Sequence, residues 1–379
     1  MPDFGPLPSE IETPCVLVDS ERLSANIARV AAIGRRFGLA VRPHIKTHKS
    51  VEIARMQMRA GACGVTASKV DEALVFVRAG IPSVTCAYPV IDGAKLDRLL
   101  AAGAEHGCDV RCLADSEAGV TALHQAGRRS GRVVPVLLKI DVGLHRCGVA
   151  TDSPAVARLG ARIHNSPHLE FRGILSHAGQ AYAAKDAAEV RAVVRTEAAL
   201  MRQARAVLEG IELPVPEVSV GSTPTVLASD DYEGITEIRP GNYVFLDRTP
   251  VRLGLAKESE VALTVLASVI SANDDWLIID AGSKTLSSDG GAHGAGAVDF
   301  GLAYPVRGDG SLGMALSIGR LSEEHGWIRR GNSDLTIGGR VRILPNHSCV
   351  VAGLRERMLL VGPAGASQEL RVDARGRIR

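Results

Sequence analysis

The ten residues "VRPHIKTHKS" at 41–50 hold two lysines, two histidines and an arginine. A lysine there, with Arg42, His44, His48 and Lys49 close in sequence, has its ammonium form disfavoured by its neighbours. Its amine becomes nucleophilic and suited to a Schiff base. Lys46 is the candidate; a solvated basic loop is the other reading. Two further stretches, "GSTPT" (221–225) and "RPGN" (239–242), combine glycines with hydroxyl and amide groups. Glycine lets backbone N–H groups approach a phosphate, and hydroxyls add donors. Both also read as plain turns with helix caps. In "LPNHSCVV" (344–351), His347 and Cys349 are two apart in a strand-like run, so both face one way. They form a soft pair suited to Zn²⁺, with positions left open for water or substrate; core packing is the alternative. His325 in "SEEHGW" is either their neighbour or a loop histidine.

These residues need a scaffold. Eight strand-like runs, at 39–46, 63–68, 83–88, 109–115, 133–141, 170–179, 217–222 and 235–241, alternate with helical patterns such as "KVDEALVFVRAG". Near-continuous apolar strands in a βαβα series predict a parallel sheet buried on both faces, and eight units predict a (β/α)8 TIM-type barrel. Catalysis in such barrels sits at the C-terminal strand ends. Those ends carry Lys46, Ser68, Lys69, Tyr88, Asp115, the segment from Asp141 to Arg146, and His177. "GSTPT" and "RPGN" then follow strands seven and eight, where barrel phosphate sites are commonly built. A Schiff-base lysine facing a phosphate site across one mouth points to pyridoxal phosphate.

Beyond about residue 250, strand-like runs separated by Gly, Asn and Asp turns predict a mostly β C-terminal domain. The expected boundaries are 20–248 for the barrel and 249–379, joined by 1–19, for the β domain carrying the metal pair. The Gly-rich segment 287–301 reads as a loop. No G-x-G-x-x-G follows a strand and no P-loop is present.

Composition sets the limits. Of 379 residues, 46% are hydrophobic and 23% charged, with a net charge of +2. Lys and Arg are spread along the chain, which excludes a nucleic-acid footprint. No apolar run is long enough for a membrane helix, and no leader pattern is evident, so a cytoplasmic protein is expected. Seven scattered cysteines point to reduced thiols, with Cys63, Cys86, Cys108 and Cys112 expected to fill core.

Taken in order, "TPCVLVD", "RPHIKTHKS", "DVGLHRCGV", "SHAGQAY", "VGSTPT", "RPGNYVFLD", "DAGSKTLSSD", "SEEHGW" and "LPNHSCVV" span nearly the whole chain. The chain resembles the D-threonine aldolase and D-serine dehydratase family, within the alanine-racemase-like pyridoxal phosphate enzymes of fold type III. By that resemblance Lys46 holds the cofactor through a Schiff base. Arg146 faces the pyridine nitrogen and keeps it largely unprotonated, which weakens the electron sink. His177 and Tyr182 lie beside the ring. Ser222, Thr223, Gly241 and Asn242 hold the phosphate, with Gly221 and Tyr243 close by. His347 and Cys349 bind Zn²⁺ or Mn²⁺, and a homodimer is expected, the β domain of one subunit closing the other's barrel. The substrate is a small D-3-hydroxy amino acid. Two reactions are open, cleavage to glycine and an aldehyde, or dehydration of D-serine or 3-hydroxy-D-aspartate to a 2-oxo acid and ammonia. "DAGSKTLSSD" and the tail "RVDARGRIR" resemble bacterial aldolase-like members, and D-threonine aldolase is the first expectation. "HSC" and "GSTPT" resemble the dehydratases, since some aldolases carry Asp in place of that Cys. A racemase has no use for the His–Cys pair, and cofactor carriers lack the second domain.

Overall fold

A computed structural model describes residues 3–5, 7, 10–291 and 298–379. Within the Gly-rich segment, residues 292–297 lie outside the described residues. The chain opens with β1 (Cys15–Asp19) and helix α1 (Ser20–Phe37). Eight strands then alternate with helices. They are β2 (Ala40–Val41), β3 (Val65–Ala67), β4 (Ser83–Pro89), β5 (Asp109–Ala114), β6 (Val134–Lys139), β7 (Leu169–Leu175), β8 (Glu217–Val220) and β9 (Glu237–Ile238). All neighbouring pairs are parallel, in the order β2-β9-β8-β7-β6-β5-β4-β3. A parallel bridge between His44 and Thr66, with the Cys63 N–H donating to the Val41 carbonyl, closes the ring. The fold is therefore a (β/α)8 barrel, as its alternating pattern predicts.

Local chemistry sets the helix ends. Asp92, Ser116 and Asp186 cap three helices by accepting from backbone N–H groups, and Gly131 ends one in the left-handed region. The first strand is much shorter than the apolar run at 39–46 predicts. Pro43 has no N–H to donate, and the chain turns into a 3-10 turn at Ile45–Thr47 that carries Lys46.

The barrel interior is partly ionic. Glu237 is buried at its centre and pairs with Arg42 at 2.7 Å and Arg111 at 3.5 Å. Burial works against its charge, but Arg42, Arg111 and Arg239 outweigh it and hold the carboxyl below its usual range. Arg42 also donates to Ser83. This corrects the expectation that Arg42 acts on Lys46: its guanidinium points down into the barrel. His48 is likewise buried against Phe76, away from the lysine. Cys86, Cys108 and Cys112 are buried as expected, whereas Cys63 is exposed beside the seam between β2 and β3. All seven cysteines are free.

The second sheet is built from β10 (Leu263–Ala272), β11 (Trp276–Ile279), β12 (Leu302–Val306), β13 (Leu316–Leu321), β14 (Gly326–Arg329), β15 (Arg340–Leu344), β16 (Arg357–Val361) and β17 (Ser367–Arg371). β10 pairs with both β11 and β15, so six of these strands close into an antiparallel barrel. β1 adds to it, antiparallel to β10 and parallel to β16. Among the described residues no helix is long and apolar enough to cross a membrane.

Glu237→Gln should leave three buried arginines facing a neutral amide. A loss on the order of 3–5 kcal/mol is expected from the midpoint of urea denaturation; a midpoint equal to wild type would contradict this account of the interior.

Candidate active site

The C-terminal strand ends open into a cavity of about 380 Å³, walled on one side by the β domain. Lys46, His177, Tyr182, Ser222, Gly241, Asn242, His347 and Cys349 all line it. Eight positions singled out in sequence therefore share one space.

Lys46 sits on its 3-10 turn with its pKa lowered. Burial is the main cause, and Arg146 and Lys49 add to it, while Cys349 and Glu72 oppose. Lys49 itself is ion-paired with Glu72. The next residue, Thr47, brings its hydroxyl within 3.3 Å of the Cys349 sulfur. The Schiff-base candidate and the metal pair are thus adjacent in space.

Across the mouth, His177 bonds the Gly221 carbonyl at 3.4 Å. Burial holds its imidazole well below the ordinary range, and Lys46, Lys139, Arg146 and Arg239 press it the same way. Four cations therefore converge on one point. Arg239 is tied to Ser219 and to the Ser176 carbonyl. Arg146 is exposed on a loop shaped by Asp141, which accepts from the Gly143 and His145 N–H groups, both at 3.1 Å. It stands beside the cavity rather than on its wall.

The two Gly-containing loops meet here. Gly221 has φ +112°, and a Cβ on it would lie 3.0 Å from the Val226 side chain. A Cβ on Gly241 would lie 3.1 Å from the Thr47 hydroxyl. Both loops run close to their neighbours, and the positive φ of Gly221 is one that favours glycine. Thr223 lies behind the wall, its hydroxyl accepting from the Tyr243 N–H at 3.1 Å and bonded to Tyr182. Two expectations need correction. The Tyr243 phenol turns away and accepts from Gln57 at 3.0 Å. The Asn242 side chain is committed elsewhere, its amide donating to Asp247 at 2.8 Å and its carbonyl accepting from Ser348 at 2.6 Å. What these two positions can offer an anion is backbone.

His347 and Cys349 do not lie on a strand. β15 ends at Leu344, His347 caps the helix Ser348–Gly353, and Cys349 is in its first turn. The two side chains are nonetheless hydrogen-bonded. Buried Asp247 fixes this segment against the barrel, accepting from the Ser348 N–H at 2.9 Å. Burial pulls the His347 imidazole down, yet Cys349, Asp247 and Asp289 together lift it to about 10. His325 is exposed on the β13–β14 turn and joins neither the cavity nor the pair. Among the described residues no third His, Cys, Asp or Glu completes a metal cluster.

Residues 18–249 match the alanine racemase N-terminal domain family, and residues 262–361 match a putative serine dehydratase domain. The chain is 36% identical over 350 residues to D-threo-3-hydroxyaspartate dehydratase from Delftia sp. strain HT23, covering 89% of this chain and 91% of that one. It belongs to the D-threonine aldolase and D-serine dehydratase family of fold type III pyridoxal phosphate enzymes. The solved Delftia enzyme superposes with a TM-score of 0.88 at 33% identity, over 95% of this chain and 97% of that one. D-threonine aldolase from Filomicrobium marinum superposes with a TM-score of 0.87 at 28% identity, covering 97% of each. The family's curated relatives are pyridoxal phosphate-dependent lyases, dehydratases and aldolases alike.

Several groups in this enzyme's site escape a reading of the sequence. Lys139 ends β6 and is buried, a lone cation closing a near-continuous apolar run. Arg239 and Asp289 were quoted within motifs without a role. Lys139 is buried, and burial pushes its amine down to about 7, with Arg239 adding to the effect. The unfolded chain keeps this proton up to the ordinary lysine range, while the folded one loses it above about 7. Between those values the unfolded state binds more protons, so stability rises with pH. Thermal or urea unfolding of the cofactor-free protein should show this gain, on the order of 2 kcal/mol between about pH 7 and 9. Lys139→Met should flatten it; the same rise in both proteins would refute the assignment.

Proposed function

We propose that this chain is a pyridoxal phosphate- and divalent-metal-dependent lyase that dehydrates small D-3-hydroxy amino acids to a 2-oxo acid and ammonia. One observation carries the reading: Lys46 and the His347–Cys349 pair line the same cavity.

The residues present fit both groups. Lys46, Lys139, Arg146 and Arg239 all bear on His177, beside a wall built from two close-packed glycine-containing loops, which suits a phosphate and an anionic ring substituent. Lys46 would hold the cofactor, Ser222 and the backbone at 221–223 and 241–243 its phosphate, and His177, Tyr182 and Arg146 would lie along the ring. His347 and Cys349 supply one nitrogen and one sulfur donor, a set suited to Zn²⁺. The Delftia dehydratase has been solved as a cysteine-to-alanine mutant in the metal-free form, which supports reading the pair as metal ligands. When bound, the cofactor supplies an electron sink at Cα and the metal a Lewis acid at the β-hydroxyl.

The chain's own residues then divide the work. With the cofactor bound, Lys46 would be the residue placed to take the α-proton. Burial and the nearby Arg146 and Lys49 lower the pKa of Lys46, the direction a base requires. His177, held neutral, adds no further positive charge to the cluster. Dehydration needs a base at Cα and an acid at the β-oxygen; Lys46 would serve as the first, and a metal held by His347 and Cys349 would supply the second. Retro-aldol cleavage needs a base on the β-hydroxyl instead. His347, engaged by Asp289 and read as a metal ligand, is not that base in this reading, and the likeness to the Delftia dehydratase, 36% identical over 350 residues, favours dehydration. This reverses the order expected from the motifs. Cleavage in the manner of D-threonine aldolase is the second reading, supported by the likeness to that enzyme from Arthrobacter, 28% identical over 97% of this chain. The family resemblance also supports a homodimer as the working unit.

Two measurements test this. Purified protein with pyridoxal phosphate should convert D-serine or 3-hydroxy-D-aspartate to a 2-oxo acid and ammonia, and a chelator should abolish it. Glycine plus an aldehyde, also lost on chelation, would replace dehydration by cleavage. Lys46→Ala should erase the visible absorbance of the cofactor's Schiff base; an unchanged spectrum would remove Lys46 from its role.

A further inference from the structure

We infer that Asp289 is the positioning residue that fixes the His347 ring for metal binding; this rests on the reading of His347 and Cys349 as a metal pair. Asp289 Oδ2 lies 3.0 Å from His347 Nδ1, although the two are 58 residues apart in sequence. A carboxylate there can accept from Nδ1–H. A metal would displace the proton of the other nitrogen and take Nε2, with the ring orientation set by the Nδ1–H bond.

The position of Asp289 is built rather than incidental. The short helix Ser283–Leu286 is tied to the β13–β14 turn, Ser283 and Lys284 donating to the Ser322 and Glu323 carbonyls at 2.8 and 3.0 Å. Ser287 follows with φ +65°, a left-handed conformation uncommon outside glycine. Its hydroxyl accepts from the Asp289 N–H at 3.1 Å. This turn delivers the carboxylate to His347. Asp247 cannot serve instead. It influences His347 through space, but its oxygens are taken by Ser348, Asn242 and Thr249.

The pair has little to do with holding the fold. The Asp289 side chain is 49% exposed, and an ion pair that open to water contributes little to stability. A structural role and a positioning role therefore predict different results. A carboxylate behind a metal-bound histidine typically changes metal affinity by about 10–100-fold.

The test is zinc affinity of the full-length protein, measured by competition with a chromophoric chelator, beside thermal unfolding without metal. Asp289→Ala should bind zinc about 10–100-fold more weakly with an unchanged melting temperature. Asp289→Asn, whose amide oxygen still accepts from Nδ1–H, should recover most of the loss. Asp289→Ala binding zinc as tightly as wild type would overturn the inference and leave the metal pair standing. An Asn variant as weak as the Ala variant would overturn orientation by an acceptor. Wild-type affinity that is unaffected by Cys349→Ala would instead overturn the metal reading itself, and this inference with it.

Discussion

Asp247 holds the two halves of the molecule together at the catalytic mouth. It is fully buried, it follows the last barrel loop, and it accepts from the backbone of Ser348 in the β domain. Asn242 and Ser348 complete the clasp by bonding each other as well as the carboxylate. A buried carboxylate is costly unless its oxygens are satisfied, and here backbone and side-chain donors satisfy both. The cost makes the geometry strict. A small displacement of either half would leave Asp247 unsatisfied, so the His347–Cys349 segment is held at one place over Lys46.

Charge is the second constraint. Lys46, Lys139, Arg146 and Arg239 all bear on His177, while the nearest carboxylates are already occupied. Glu72 pairs with Lys49 and hydrogen-bonds Ser68, and Glu197 accepts from Ser176. Deeper in the barrel, Glu237 balances Arg42, Arg111 and Arg239. Positive charge is thus largely compensated in the interior, while Lys46 and Arg146 add positive charge at the mouth. Such a site favours an anionic occupant and lowers lysine pKa values at the same time. In the proposed reading, binding of a phosphorylated cofactor and activation of Lys46 would follow from one electrostatic arrangement.

The proposed metal pair, His347 and Cys349, occupies the wall that the β domain supplies. Two donors from the β domain face the lysine from the barrel, and an acidic residue from a third segment braces the histidine. A substrate between them would meet a base on one side and a Lewis acid on the other. That division suits elimination, in which a proton and a hydroxyl leave from adjacent carbons. It also shows how related enzymes can share a scaffold and differ in which bond breaks, since the bond chosen depends on where the available base points.

Periodicity and turn chemistry in the sequence determined the fold class. Near-continuous apolar runs alternating with helical runs that close on glycine are local signals, and they predict a parallel barrel followed by β structure. Residue type also determined which atoms can do chemistry: an amine at Lys46, a nitrogen and a sulfur at His347 and Cys349. Environment was decided only in three dimensions. Arg42 and His48, neighbours of Lys46 in sequence, point away from it, because the first strand stops after two residues and a 3-10 turn rotates the side chains apart. Lys139, Arg239 and Asp289 enter the site from distant segments, through contacts no local pattern encodes. Asn242 and Tyr243 look like ligands in sequence, yet Asp247 and Gln57 claim their side chains. A side chain's protonation and availability depend on burial and on partners that can be a hundred residues away, and those exist only once the chain has folded.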